Sequence, residues 1–84
     1  MAYSVVFMPD AMTEIALLSD NDQTYLIVDV GLSLANDPHK QGDLWMVLGS
    51  ETWYVLEVGA ARVAYAVDDD VRQVTVASVT LTGR

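Results

Sequence analysis

Arg62 and Tyr65 stand three apart in a strand-like run, Arg62-Val63-Ala64-Tyr65-Ala66-Val67-Asp68, behind a Gly59-Ala60-Ala61 turn and the acid Glu57. A strand arginine is the residue type that meets a phosphate or orients an anionic substrate, which makes Arg62 the candidate catalytic residue. The competing reading is an ion pair with Glu57, whose side-chain parity across the Gly59 turn is compatible with it. Tyr65, at odd separation from Arg62, points to the other sheet face and belongs to the core. His39 is the single histidine and the one side chain whose ordinary pKa suits a general base. With no partner nearby in sequence, it reads as a solvated loop residue after Pro38.

Other residue types that could do chemistry point the bland way. Asp68-Asp69-Asp70 lacks the alternating oxygen ligands, glycine and distal glutamate of a calcium loop, and reads as a solvated turn. Trp45, Trp53 and Tyr54 could stack on bases, but stacking platforms work inside positively charged grooves, so core or partner-interface packing is expected. The chain carries no P-loop, dinucleotide fingerprint, nucleophile elbow or Cys/His metal spacing, and no cofactor or metal is expected.

The elements that must position these residues follow from periodicity. Tyr3 to Met8 is a β-branched and aromatic run stopped by Pro9, which then opens a helix with Asp10 and Glu14 near its positive end and Ala11, Ile15 and Leu18 at helical spacing. Ser19-Asp20-Asn21-Asp22 breaks it, and Asp20 with Gln23 forms a capping-box-like restart. From Thr24 to Asn36 two patterns compete. Val28 to Leu34 alternates like a strand, whereas Tyr25, Val28, Leu32 and Ala35 form one helical stripe. Length and the Asn36-Asp37-Pro38 stop favour the helix, with Gly31 costing roughly 1 kcal/mol. Four strands follow: Leu44–Leu48, Thr52–Val58, Arg62–Asp68 and Val71–Val79, with turns short enough for an antiparallel meander.

The string Glu57-Val58-Gly59-Ala60-Ala61-Arg62-Val63-Ala64-Tyr65 resembles the RelE/ParE superfamily of small bacterial toxins, whose members carry Arg-Val-Gly-x-x-Arg-Val-x-Tyr there. Arg62 and Tyr65 match that pattern, and Glu57 stands in the place of the first arginine. The resemblance follows the order of elements along nearly the whole chain and is closest in residues around Pro38 and from Gly59 to Val79. It implies an α+β fold: two N-terminal helices packed on a mainly antiparallel sheet of about five strands, the first strand beside the later ones, as a single domain over residues 1–84. It also tips the segment 24–36 to helix.

In ribonuclease members, as the resemblance implies, the 2′-hydroxyl of ribosome-bound message attacks the neighbouring phosphate, and cations absorb the charge of the phosphorane. Losing one such stabiliser typically costs about 10² to 10³ in rate. Those members place lysines on the strand after the proline loop, arginines on both sides of the glycine, and a late basic residue or tyrosine. Here residues 42–49 hold no Lys or Arg, Glu57 replaces the first arginine, and Thr80-Leu81-Thr82 fills the late position. Message cleavage is therefore in doubt, and binding of a target such as DNA gyrase needs none of these groups. The resemblance further implies an antitoxin partner that wraps the toxin as an extended helical segment.

Composition bounds the rest. Eighty-four residues with 52% hydrophobic content suit one small globular core, and no apolar run approaches the roughly 18 residues that span a bilayer. With no cysteine and no signal-peptide pattern at Met1 to Phe7, a cytoplasmic location is expected. Twelve acids against four bases (Lys40, Arg62, Arg72 and Arg84) give a net charge of −8. Such a surface repels polyphosphate, so direct binding of free nucleic acid is not expected. The acidic excess serves solubility, or it forms a face for a basic protein or mimics nucleic acid. That second option makes a non-enzymatic acidic interaction module the alternative function.

Overall fold

The computed structural model describes residues 2–81. A five-stranded sheet is ordered β1-β5-β4-β3-β2, with β1 (Ser4–Phe7), β2 (Asp43–Leu48), β3 (Glu51–Val58), β4 (Ala61–Asp68) and β5 (Gln73–Leu81). β2 to β5 form the expected antiparallel meander, while β1 lies parallel to β5 with Ser4 opposite Gln73. Helices α1 (Pro9–Ile15), α2 (Asp20–Thr24), α3 (Gly31–Asn36) and α4 (Pro38–Gln41) connect β1 to β2. This is the α+β arrangement read from the sequence.

Alternation along β4 sorts most of its side chains, with Ala66 buried at the parity of Arg62. Ala61, Val63, Tyr65 and Val67 are buried, and Arg62 is exposed on the opposite face. On β5 the inward residues are Val74, Val76 and Val79, a spacing of two and then three. A bulge explains it: Tyr65 pairs with Val76 but Ala64 pairs with Ser78, so Ala77 is the extra residue and Val79 returns to the core. Ala11 and Ile15 of α1 close the same core, where a fully buried side chain the size of Ile15 contributes about 1.5–3 kcal/mol.

The segment from 20 to 36 is helical throughout, with a wider π turn over Tyr25–Val30 joining α2 to α3. Its cap is Ser19, whose hydroxyl accepts from the Asp22 N–H at 3.3 Å, one residue before the expected Asp20. Gln23 instead donates to the carbonyls of Leu18 and Ala16 and ties the chain end of α1 to α2. The buried stripe of this helix is Leu26, Val30 and Leu34, whereas Tyr25, Val28 and Leu32 lie largely in solvent. The sequence therefore carries two apolar stripes on one helix, and only one of them meets the sheet.

Two boundaries differ from expectation. β5 starts at Gln73 because Arg72 adopts φ 53°, which turns the chain before pairing begins. Residues 38–41 form a helical turn, α4, so His39 sits on an ordered element and not in a loop.

Candidate functional site

The open sheet face carries Arg62. It lies in direct register with Glu57 on β3 and Thr80 on β5, and Arg62 Nη2 and Nε both donate to Glu57 Oε2, at 2.9 and 3.0 Å. Both side chains are more than half exposed, so the pair is worth about 0–1 kcal/mol, and it converges on one carboxylate oxygen, leaving the outer guanidinium donors facing solvent. Asp43, next in register to Val55, puts another acid on this face.

Among the described residues no second cation joins Arg62. Arg72 lies past the far end of β4, roughly 20 Å along the strand direction, with its guanidinium 4.4 Å over the Tyr3 ring. Lys40 approaches Asp37 at 4.0 Å, and Arg84 is outside the described residues. A phosphorane-stabilising cluster of cations is thus absent among the described residues.

At the end of the sheet near the β4–β5 turn, four residues far apart in sequence converge. Asp69 accepts from the Tyr3 hydroxyl at 2.6 Å and lies 2.9 Å from His39 Nε2, and His39 Nδ1 lies 2.5 Å from the Tyr54 hydroxyl. A neutral His39 satisfies all of this if Nε2–H donates to Asp69 and Nδ1 accepts from Tyr54. Tyr54 stacks on Tyr65 with centroids 5.4 Å apart, and the Tyr65 hydroxyl donates to the Pro38 carbonyl at 2.7 Å. The hydrogen bonds from Tyr3 and then His39 hold the Asp69 carboxyl below the usual carboxylate range, and the bond to Asp69 raises the Tyr3 phenol. Burial raises Tyr54, with Asp69 adding to it, and pushes Tyr65 up to about 12. Both ring nitrogens of His39 are engaged and Tyr54 is buried, so the cluster ties the start of β1, α4, β3 and the β4–β5 turn together and leaves His39 no free nitrogen to act as a base. His39 is accordingly partnered and partly buried, which corrects its reading as a solvated loop residue, while Asp69 is partnered in a turn that remains exposed.

The third region is apolar. Tyr25, Val28 and Leu32 recur at helical spacing with 48%, 46% and 60% exposure, and the exposed acids Asp22 and Asp29 border them. Their N-terminal end opens into a cavity of about 190 Å³ lined by Leu18, Tyr25, Leu26, Val58 and Leu81, with Asp22 at its rim. Of the aromatic residues singled out in the sequence, Tyr54 is core, while Trp45 and Trp53 meet edge to face at 6.2 Å on the open side of the sheet.

No protein-family model and no curated protein matches the chain. Solved structures do. The chain is similar to one in the RelBE2 toxin–antitoxin complex of Mycobacterium tuberculosis, with a TM-score of 0.79 at 20% identity over 96% of this chain and 99% of that one. It is similar to one in the archaeal RelE–RelB complex of Pyrococcus horikoshii, at 0.76 and 18% over 100% and 99%. The isolated Escherichia coli RelE toxin gives 0.77 and 21% over 99% and 87%. At these identities the likeness establishes the fold, which is that of the RelE toxins.

The sequence pointed to Arg62, Glu57 and their shared face. It gave no sign of the Tyr3, His39, Tyr54 and Asp69 cluster, because no spacing links positions drawn from four elements. The exposed helical stripe was legible as a stripe, and its direction was not.

Proposed function

We propose that this chain is the toxin component, or a descendant of one, of a type II toxin–antitoxin system, acting by binding a cellular target and held by an antitoxin segment. The observation that carries the reading is the end-to-end likeness to chains found in RelE–RelB complexes. The uncovered stripe Tyr25, Val28 and Leu32 fits with it, since a helix apolar on two sides requires a second partner. Binding is favoured over message cleavage because, among the described residues, Arg62 has no companion cation on the open face and a carboxylate already holds it. In this reading Arg62 is the contact to the target, a ribosome or DNA gyrase, and the protein works in the cytoplasm. No helix among the described residues is long and apolar enough to cross a membrane.

The test is growth of a bacterial host after induction of the chain, Arg62→Ala, Glu57→Gln or an empty vector. Wild type is expected to arrest growth, Arg62→Ala to relieve the arrest while remaining folded, and Glu57→Gln to deepen it by releasing the guanidinium. Undiminished growth with abundant folded protein counts against the toxin reading. It favours the acidic interaction module, which the Glu57–Arg62 pair and the exposed Asp22 and Asp29 support as the second reading.

A further inference from the structure

β2 is an edge strand of unusual character. Among the described residues nothing pairs with its outer side, and its interior holds neither charge nor proline, so the bulge at Trp45 is its one edge-blunting feature. Leu44, Trp45, Val47 and Leu48 are 66%, 56%, 62% and 54% exposed.

The direction of each side chain follows from the register with β3. Leu44 opposes core residue Tyr54 and Val47 opposes Thr52, which puts both on the helix side of the sheet. Asp43, Met46 and Leu48 oppose Val55, Trp53 and Glu51 on the open side. Trp45 is the extra residue of a bulge, and its contact with Trp53 puts it on the open side too. From Asp43 to Leu48 the sides run open, helix, open, open, helix, open. That order is the same in both directions, and the bulge is what makes it so: a regular six-residue strand alternates and reads differently from its two ends.

A strand whose facing pattern is its own reverse can pair antiparallel with itself. We propose that β2 joins β2 of a second copy across a two-fold axis between Trp45 and Met46, making one continuous ten-stranded sheet. Leu44 then opposes Val47 of the other copy, Asp43 opposes Leu48, and Trp45 opposes Met46, with every partner pair on a matching side. The two Asp43 carboxylates lie about 17 Å apart, beyond the Debye length of about 8 Å at physiological salt. The fractional exposures leave roughly 500 Å² of these side chains in solvent per copy, so pairing covers at most about 1,000 Å² in all, the size class of a weak interface, and the dimer belongs to the upper part of the micromolar concentration range.

Charge distinguishes a second copy from other occupants. Two chains of −8 repel, so self-pairing tightens as salt rises, whereas a basic partner segment on the same edge binds more weakly. The experiment is sedimentation velocity on the full chain, from about 1 to about 500 µM at about 0.05 and 0.5 M NaCl, with tryptophan emission recorded over the same dilutions. The mass should rise from 9.2 kDa to twice that value, at lower concentration in higher salt, with emission shifting to the blue as all four indoles gather near the axis. Val47→Lys or Leu44→Lys should hold the chain monomeric with unaltered circular dichroism. Leu17→Lys, the same charge change at an exposed site on another element, should leave the dimer intact. A monomer at every concentration overturns the proposal, as does a dimer that Val47→Lys leaves untouched or one whose formation does not alter the emission. A chain that remains monomeric alone but buries β2 when an antitoxin segment is bound also overturns it, and gives the edge to that segment.

Discussion

Asp69 accepts from two donors at once, and its depressed pKa turns that geometry into a pH dependence. Because the folded pKa lies below the unfolded one, the stabilisation is fully present above the ordinary carboxylate range and is lost as pH falls through the folded value. Asp69 is more than half exposed, so solvent screening limits the contribution to no more than about 1 kcal/mol. Urea titration should find Asp69→Asn less stable than wild type at neutral pH, with the difference closing as pH falls below the ordinary carboxylate range and through the lowered folded value. A difference that persists in acid would mean that Asp69 acts through turn geometry and not through its charge. None of this was visible in the sequence, where Asp69 is one of three adjacent acids and His39 one of three polar residues after a proline. Arg62 was visible, because a single arginine in an otherwise uncharged stretch of strand stands out, and so was Glu57 two residues before the glycine.

At the scale of elements, the strands were legible because Gly49, Gly59 and the acidic turn punctuate them. Gly49 and Gly59 adopt φ of 60° and 57°, a conformation that favours glycine. The connection from α4 into β2 was not legible, since its constraint is a packing distance. A Cβ on Gly42 would stand 2.8 Å from the Val55 carbonyl oxygen and 3.1 Å from the Tyr65 hydroxyl, which already donates to the Pro38 carbonyl. Neither neighbour can yield without breaking a strand contact or leaving a buried polar group unpaired. Gly42→Ala should therefore lower the denaturant midpoint by the equivalent of about 1–3 kcal/mol, a typical cost of overpacking, while Gly31→Ala, with open space around the site, should be neutral or stabilising. Equal effects at the two glycines would show that backbone freedom, and not the close approach to β3, fixes Gly42. The helix from 20 to 36 marks the limit of periodicity. Two apolar stripes share one cylinder, and the choice between them is made by the sheet, which Leu26, Val30 and Leu34 meet.

For the whole molecule the governing quantity is charge over size. Eight excess negative charges occupy a body of 34 × 23 × 22 Å. At about 0.01 M salt the Debye length is about 30 Å, so each excess charge acts across the entire fold, whereas at about 0.15 M it is about 8 Å and only near neighbours interact. The unfolded chain spreads the same charges over a larger volume, so self-repulsion penalises the compact state and screening relieves that penalty. The thermal midpoint should consequently rise between these two salt concentrations. Two protein concentrations separate this effect from assembly: relief of self-repulsion gives the same rise at both, whereas pairing of copies gives a larger rise at the higher one. A midpoint that is flat or falls with salt would show that the acids are locally compensated, with the −8 spread too evenly to repel. The same field bears on recognition. A segment laid along Tyr25, Val28 and Leu32 passes Asp22 and Asp29, neither of which is ion-paired among the described residues, so the partner that suits this surface is neutral or basic.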